Sequence, residues 1–384
     1  MKVLFNVIIL LILFSCSSNP KNVTLSNFEE RIIEKPQINY KLNSLPRDIN
    51  VIYFSNSKST KPFPDEVKGL LTNFYSFSDK YKYFPKIRFI NLHKANSCSL
   101  VLDRSAYNFI FLLKDSFETT SYELCLNKFA NRDVLLISDF DNRSALKNFR
   151  QFRVNRNDDK YKLINYMRSF SKTTMVIDNE ITKDKYEIGK FWEEELNKET
   201  KEYKTFDKTE SGQYIFSYLL LLEQSLKRKR KLSRMLSVDL NLQPRTREDI
   251  DALFLSVSTQ EARSLKPALD YNYYEGMKVF LANDWKGDSQ FLKNDKDLED
   301  VISIDIPFML PLPLPSDLNT INNKTRNFAI GYDAFEIALL MEGSRNLNKT
   351  SYKGLTGKIT FKDNTIKRNS IIFKIKNGKY EYLN

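Results

Sequence analysis

The stretch QPRTREDIDALFLSVSTQEARSLKPALDYN, residues 243–272, places a charged loop directly before a dense apolar run. Asp251–Val257 is apolar enough to predict a strand buried on both faces. The residues that follow have the apolar spacing of a helix, and a buried strand followed by a helix is the unit of parallel sheets covered by helical layers. The loop charges, on Arg245, Arg247 and Asp249, belong either to a functional site or to the entrance of the strand.

The same alternation recurs along the chain. Strands are predicted at 49–54, 87–92, 108–113, 134–138, 174–177 and 278–282, and helices at 65–81, 160–170, 185–197, 214–225 and 260–269. The helix at 214–225 is apolar nearly all round, which predicts that it is buried. Near the C-terminus, 355–361, 371–375 and 380–383 predict an antiparallel ribbon, with Asn377-Gly378 as a hairpin turn. These patterns predict an α/β fold with parallel sheets flanked by helices.

The first residues predict an export signal. Lys2 precedes the apolar run Val3–Phe14, which is short for a membrane span, and Ser15 precedes Cys16. The ending Leu-Phe-Ser-Cys resembles a bacterial lipobox, so residues 1–15 are predicted to be removed and Cys16 to carry lipid; an ordinary signal peptide is the alternative. Ser17, instead of aspartate, follows the cysteine, which predicts the outer membrane. Residues 16–45 then predict a polar, proline-punctuated tether.

Composition narrows the class of partner. Lys and Arg number 60 against 48 Asp and Glu, a net charge of +12. For an exported lipoprotein nucleic acid is not an expected partner, which leaves anionic lipid, acidic wall polymer or an acidic protein face, or else a compositional bias without function. Cys98 and Cys125 remain after Cys16, and an oxidising compartment allows a disulfide between them.

The chain offers little for catalysis. His93 is the only histidine, which argues against a metal site rich in histidine, and no G-x-S-x-G elbow accompanies it. The S-x-x-K pattern occurs three times, but its S-D-N and K-T-G companions are missing. With ten glycines, the chain shows no phosphate-binding or dinucleotide-binding loop. No catalytic residue, cofactor or metal is therefore predicted.

Two further segments have open interpretations. The basic run Lys227–Lys231, with Arg234, either binds lipid phosphate or an acidic partner, or is the solvated end of a helix whose cations face the helix dipole. The alternating Met309–Pro315 is either an extended docking surface or a loop that packs against its own domain.

Ordered blocks between residues 150 and 384 resemble a known family. The most specific block is 243–272, and the others are Ser225-Leu-Lys-Arg228, Val279-Phe-Leu-Ala282, Asp297-Leu-Glu-Asp-Val301, Ile304-Asp-Ile-Pro307, Phe328-Ala-Ile-Gly331-Tyr-Asp333 and Gly354-Leu-Thr-Gly357. They resemble the C-terminal domain of the penicillin-binding protein activators, outer-membrane lipoproteins that stimulate a peptidoglycan synthase.

The resemblance implies a two-lobed, type I periplasmic-binding-protein-like fold over 46–384. Lobe one is expected at about 46–154 and 284–350, and lobe two at about 155–283 and 351–384. Family members commonly carry a helical-repeat domain before this one, and here only the tether is expected in its place.

The resemblance also implies the function. A lipoprotein that is not an enzyme is expected to bind and activate a class A penicillin-binding protein, with Arg245, Arg247 and Asp249 as candidate contacts and without a small-molecule ligand. The alternative is a solute-binding, amino-acid-type lipoprotein of an ABC transporter, because the same fold captures solutes between its lobes.

Overall fold

The computed structural model describes residues 33, 45, 48–54, 64–92, 109–114, 134–138, 150–154, 157–179, 185–272, 277–282, 295–318, 321, 324–343 and 350–383. The described residues form fifteen strands: β1 (Asp48–Phe54), β2 (Lys86–Leu92), β3 (Phe109–Lys114), β4 (Val134–Ser138), β5 (Arg150–Arg153), β6 (Thr173–Asn179), β7 (Glu199–Phe206), β8 (Ala252–Ser256), β9 (Lys278–Leu281), β10 (Ile302–Asp305), β11 (Ser351–Gly354), β12 (Gly357–Lys362), β13 (Thr365–Asn369), β14 (Ile371–Lys376) and β15 (Lys379–Leu383).

The same part of the chain forms seven α-helices: α1 (Asp65–Tyr81), α2 (Asn157–Met167), α3 (Lys185–Lys190), α4 (Gly212–Leu219), α5 (Leu222–Leu236), α6 (Thr259–Tyr271) and α7 (Arg326–Gly343). A π-helical turn, Phe191–Glu195, extends α3. Short 3₁₀ turns lie at Asp295–Leu298, Pro307–Met309 and Ser316–Leu318.

The strands form two sheets. The first has the order β11-β12-β13-β5-β4-β3-β1-β2, and the second has the order β15-β14-β10-β9-β8-β6-β7. Strands β1 to β5 pair in parallel in the first sheet, and β6 to β10 in the second, whereas β11–β13 and β14–β15 add antiparallel ribbons. The predicted α/β class, with parallel sheets flanked by helices, is confirmed.

Strand β8 shows why the second sheet is covered on both faces. All five of its residues are buried. Leu253 and Leu255 pack in the core beneath α4 and α6, whereas Ala252 and Phe254 pack with Trp192 on the opposite face. Because side chains alternate across a strand, a continuous apolar run serves two cores at once.

The chain passes between the two sheets at three described places. The first crossing leads from β5 to α2, and the second from β10 to α7, which packs in the core of the first sheet. The third leads from β13 through Ser370 to β14. Three crossings give two sheets that share one continuous chain, as expected for the two-lobed fold.

The sheets divide the chain at other points than the predicted lobe boundaries. Strand β10, expected in lobe one, pairs with β9 and β14 in the second sheet. Strands β11–β13, expected in lobe two, join the first sheet because Ile366 on β13 pairs with Phe152 on β5. Ladder hydrogen bonds join backbones of any sequence, so the residues alone did not show which distant strand each would meet.

The predicted buried helix at 214–225 is also wrong. The structure divides it at Leu221, a left-handed residue with φ 59°, so that α4 ends and α5 begins there. Tyr214 and Tyr218 on α4 are 57% and 64% exposed. They lie four residues apart and therefore form one exposed stripe. By contrast, Met309, Leu310 and Leu312 are buried, so the proline-rich segment packs against its own domain.

Candidate partner-contact site

The charged loop before β8 is held by an arginine fork. Arg247 donates to both carboxylate oxygens of Asp249, from Nε to Oδ1 at 2.6 Å and from Nη2 to Oδ2 at 2.8 Å. Its Nη1 donates to Glu202 Oε1, on the edge strand β7, at 2.7 Å. Hydrogen bonds from Arg247 hold the pKa of Asp249 below its usual value. Arg247 and Asp249 therefore fasten the loop to the edge of the second sheet.

Arg245 differs from these two residues because its side chain is exposed to solvent. Its backbone N–H donates to Ser225 Oγ on α5 at 2.9 Å. The backbone N–H of Arg247 donates to the Leu220 carbonyl, at the end of α4, at 3.1 Å. The loop thus spans the junction of the two helices, and of the three predicted contact residues Arg245 is the one whose side chain forms neither of the loop's ion pairs.

Asp251 fixes the start of β8. Its Oδ2 accepts hydrogen bonds from the backbone N–H groups of Lys172 at 2.8 Å and Thr173 at 3.1 Å. Its own N–H donates to Thr173 Oγ1. The hydrogen bond from the Lys172 N–H is the main cause of a lowered pKa for Asp251. The charges before the strand are therefore largely committed to holding it beside β6.

Helices α1 and α7 approach each other closely at two glycines. A Cβ atom at Gly69 would lie 1.9 Å from the Phe328 carbonyl oxygen, and one at Gly331 would lie 1.8 Å from the Glu66 carbonyl oxygen. The side chain of Asn73 donates to the Tyr332 carbonyl across this contact at 2.8 Å. No larger residue fits at either glycine without moving a helix backbone.

Asp333 ties α7 to the turn between β11 and β12. Its Oδ1 accepts from the Leu355 N–H at 2.9 Å, and its Oδ2 accepts from the Thr356 N–H at 2.7 Å and from Thr356 Oγ1 at 2.6 Å. Burial raises the pKa of Asp333 to about 7. A Cβ atom at Gly354 would lie 2.6 Å from the same carboxylate. The sequence blocks 328–333 and 354–357, which lie apart in the chain, thus meet in one contact.

Two ion pairs lie at the crossings between the sheets. Asp305 is 1% exposed and pairs with Arg326, with Oδ2 and Nη2 at 2.5 Å and Oδ1 and Nε at 3.1 Å. Arg368 pairs with both oxygens of Asp159, at 2.7 and 3.2 Å, and also donates to Ser370 Oγ at 2.6 Å. Neither pair could be found from the sequence: Arg368 and Asp159, for example, lie 209 positions apart, and neither stands in a recognisable pattern.

Several predicted residues cannot be placed. Cys16, Cys98, Cys125 and His93 lie outside the described residues, as do the leader and nearly all of the tether. Within the described residues, no cluster of three His, Cys, Asp or Glu side chains could hold a metal ion. None of the helices in the described residues is both long and apolar enough to cross a membrane.

Comparisons with known proteins bear on the family. Residues 190–378 match the family model "LppC putative lipoprotein". The "Penicillin-binding protein activator LpoA" of Vibrio vulnificus (strain YJ016) is 23% identical over 162 residues, which cover 40% of this chain and 26% of that protein. The fold resembles the LpoA (YraM) C-domain from Haemophilus influenzae, a regulator of PBP1A, with a TM-score of 0.59 and 11% identity over 88% of this chain and 100% of that one. Together these matches support the penicillin-binding protein activator family.

The residues matched by the family model include the charged loop before β8, α6, α7 and the turn that Asp333 holds. The match to full-length LpoA from Haemophilus influenzae covers 90% of this chain but only 60% of that one. This chain therefore spans about three fifths of the length of that protein. A structure of a "putative branched-chain amino acid ABC transporter" from Chromobacterium violaceum has a TM-score of 0.56 and 16% identity over 85% of this chain. Similar folds therefore occur in a protein described as a regulator of PBP1A and in one described as a "putative branched-chain amino acid ABC transporter".

Proposed function

We propose that this chain is a lipoprotein that binds and activates a class A penicillin-binding protein and so regulates peptidoglycan synthesis. The observation that carries the proposal is the alignment over 162 residues with a protein named as a penicillin-binding protein activator. The matching fold of a domain named as a regulator of PBP1A supports it. In this proposal the chain acts by contact and performs no chemistry of its own.

The anchor in this proposal is lipid on Cys16, after removal of residues 1–15. Acyl chains on one residue are enough to hold a folded domain at a membrane, and more than one chain makes the attachment stable. The domain would then face the periplasm from the outer membrane, where a tether at 16–45 would let it meet a synthase.

The partner surface in this proposal includes the loop around Arg245. The fork of Arg247, Asp249 and Glu202 holds the loop in one shape, and a loop held in one shape loses little conformational entropy on binding. Exposed Arg245 then supplies a guanidinium, a group enriched at protein interfaces.

Reconstitution tests the proposed function. The purified lipoprotein is mixed with the class A synthase of the same organism, and glycan polymerisation and cross-linking rates are measured with and without it. We expect both stable binding and a faster rate. A lipoprotein that neither binds nor stimulates any class A synthase of its own organism would contradict the proposal.

A second candidate is a solute-binding lipoprotein, favoured by the fold shared with the Chromobacterium violaceum protein. A binder of amino acids needs charged groups free to meet ammonium and carboxylate. At the crossings described here, Asp305 pairs with Arg326 and Asp159 with Arg368, so those groups are already occupied. A thermal-shift screen of amino acids separates the candidates, since a solute that clearly raises the melting temperature would favour the second.

A further inference from the structure

We propose that α5 and the segment 237–242 after it form a docking surface for a membrane rich in anionic phospholipid. This surface, the basic arm, is distinct from the fork of Arg247 and goes beyond the proposed activation of a synthase. Its occupant is the headgroup layer of a bilayer, contacted by cations along the helix and by apolar side chains at its far end.

Helix α5 has little contact with the rest of the protein. Of its 15 residues only Leu222, the first, is buried. The chain that follows α5 contacts the helix through two serines. Ser225 accepts a hydrogen bond from the Arg245 N–H at 2.9 Å, and Ser233 accepts one from the Leu240 N–H at 3.4 Å. Most helices in proteins are stabilised by packing an apolar stripe, so a helix that leaves its stripe uncovered has a surface available for a partner.

The charge of α5 is strongly positive. It carries six cations against one acid, Glu223, and the cations are Lys227, Arg228, Lys229, Arg230, Lys231 and Arg234. Among the described residues, none of these six side chains forms an ion pair. A cluster of four to eight cations on an amphipathic helix attracts anionic lipid, each contributing when it lies within a Debye length of the surface.

The far end of the basic arm is apolar. Met235, Leu236 and Val238 are 71%, 59% and 57% exposed, and Leu232 and Leu242 are 40% and 52% exposed. Neighbouring exposed apolar side chains of this size mark a contact surface. Exposed leucine beside a face rich in lysine and arginine is typical of helices that lie in the membrane interface.

Charge and composition favour a bilayer over other occupants. A second copy of the arm would bring a net charge of about +4 against another of +4, since residues 222–242 hold six cations and two acids, Glu223 and Asp239. A protein interface is typically depleted in lysine at its core, whereas this arm has three lysines in five consecutive residues. A phospholipid layer offers phosphates for the cations and acyl chains for the exposed tip.

Hydrogen exchange of the full-length lipoprotein tests the docking. The protein is reconstituted into vesicles of phosphatidylcholine, or of equal parts phosphatidylcholine and phosphatidylglycerol, so that the anchor is the same in both. Exchange of peptides from 222–242 should slow by at least about tenfold in the anionic vesicles. Peptides from β14 and β15, residues 371–383, should exchange equally in both vesicles, and high salt should remove the difference in the arm.

Two variants and one control sharpen the test. Lys227→Ala/Arg230→Ala/Lys231→Ala and Met235→Ser/Leu236→Ser should each abolish most of the lipid-dependent protection. Lys358→Ala/Lys362→Ala/Lys367→Ala removes the same charge from exposed positions on β12 and β13 and should leave it unchanged. Equal exchange of the wild-type arm in both vesicles would overturn the proposal. So would protection that appears only on addition of the purified synthase, which would make the arm a protein interface.

Discussion

Arg368 on β13 forms a bidentate ion pair with Asp159 on α2. Its Nη2 lies 2.7 Å from Oδ2 of the carboxylate, and its Nη1 lies 3.2 Å from Oδ1. Arg368 belongs to the first sheet, whereas Asp159 lies on the helix that the chain enters after leaving that sheet. Arg368 also donates to Ser370, the residue between β13 and β14. One guanidinium therefore links the first and third crossings between the sheets.

Breaking this pair should destabilise the protein. The side chains of Arg368 and Asp159 are 6% and 19% exposed, so Arg368→Ala leaves a largely buried carboxylate without its partner. We expect the free energy of unfolding to fall by roughly 3 kcal/mol, measured by urea denaturation. The matched control is Lys374→Ala, which breaks a pair with Asp300 that is 29% and 61% exposed and should cost less than about 1 kcal/mol. Equal losses in the free energy of unfolding for the two variants would show that the Arg368–Asp159 pair stabilises the protein no more than an exposed pair does.

Because α1 and α7 lie so close together, we expect Gly331→Ala to destabilise the protein, although alanine usually stabilises a helix. In most helices alanine is better than glycine by about 1 kcal/mol. Here the new Cβ would lie 1.8 Å from the Glu66 carbonyl, so the helices must separate, and we expect a net loss of at least about 2 kcal/mol. Gly378→Ala, where nothing lies within 4 Å but φ is +66°, should lose no more than about 1–2 kcal/mol. Thermal denaturation compares the variants, and a stabilised Gly331→Ala would refute the close approach.

Asp333 should make stability fall with rising pH. Its pKa is raised by burial to about 7, whereas an aspartate in an unfolded chain titrates near about 3.9. Between these values the folded state binds more protons than the unfolded state, so the free energy of unfolding decreases as pH rises from about 4 to about 7.

The Asp333→Asn variant isolates this effect. Wild type should lose on the order of 3 kcal/mol relative to the variant over that pH range, in urea denaturation at several pH values. Asp297→Asn, at an exposed position, is the control and should keep the wild-type slope. A pH slope for Asp333→Asn equal to that of wild type would mean that Asp333 ionises normally in the folded protein.

Two variants of the charged loop before β8 should separate effects on synthase binding from effects on stability. Arg245→Glu, at an exposed side chain, should weaken binding of the synthase by roughly tenfold and change the free energy of unfolding by less than about 0.5 kcal/mol. Arg247→Ala removes the hydrogen bonds to Asp249 and Glu202 and should lower stability by about 2 kcal/mol. Surface plasmon resonance and urea denaturation give the two quantities. Unchanged binding by Arg245→Glu would remove this loop from the partner surface.

Local structure could be predicted from the residues. The apolar run at Ala252–Ser256 became a strand buried on both faces. Ser258 and Glu261 form a reciprocal capping box at the start of α6, in line with the predicted helix. Asn377 and Gly378 turn the last hairpin with φ of 52° and 66°. Apolar periodicity, caps and turn residues act over a few positions, so the sequence displays them directly.

Contacts over long separations could not be predicted in this way. The resemblance assigned β10 to one lobe and β11–β13 to the other, and the sheets reversed both assignments. The residues around Leu221 also did not predict its left-handed conformation, with φ 59°, at the junction of α4 and α5.

The sequence by itself thus determined the most apolar strands, several helices and the family resemblance, but it did not predict β5, β7, β10, β11, β13 or α7. The tertiary structure alone decided which strands share a sheet, which charges are paired and which stay exposed. Arg247 and Arg245 look equivalent in the sequence, yet Arg247 is held by two carboxylates while Arg245 is exposed. The physical reason is that strand pairing and ion pairing depend on distances between groups that are far apart in the chain, and only packing sets those distances.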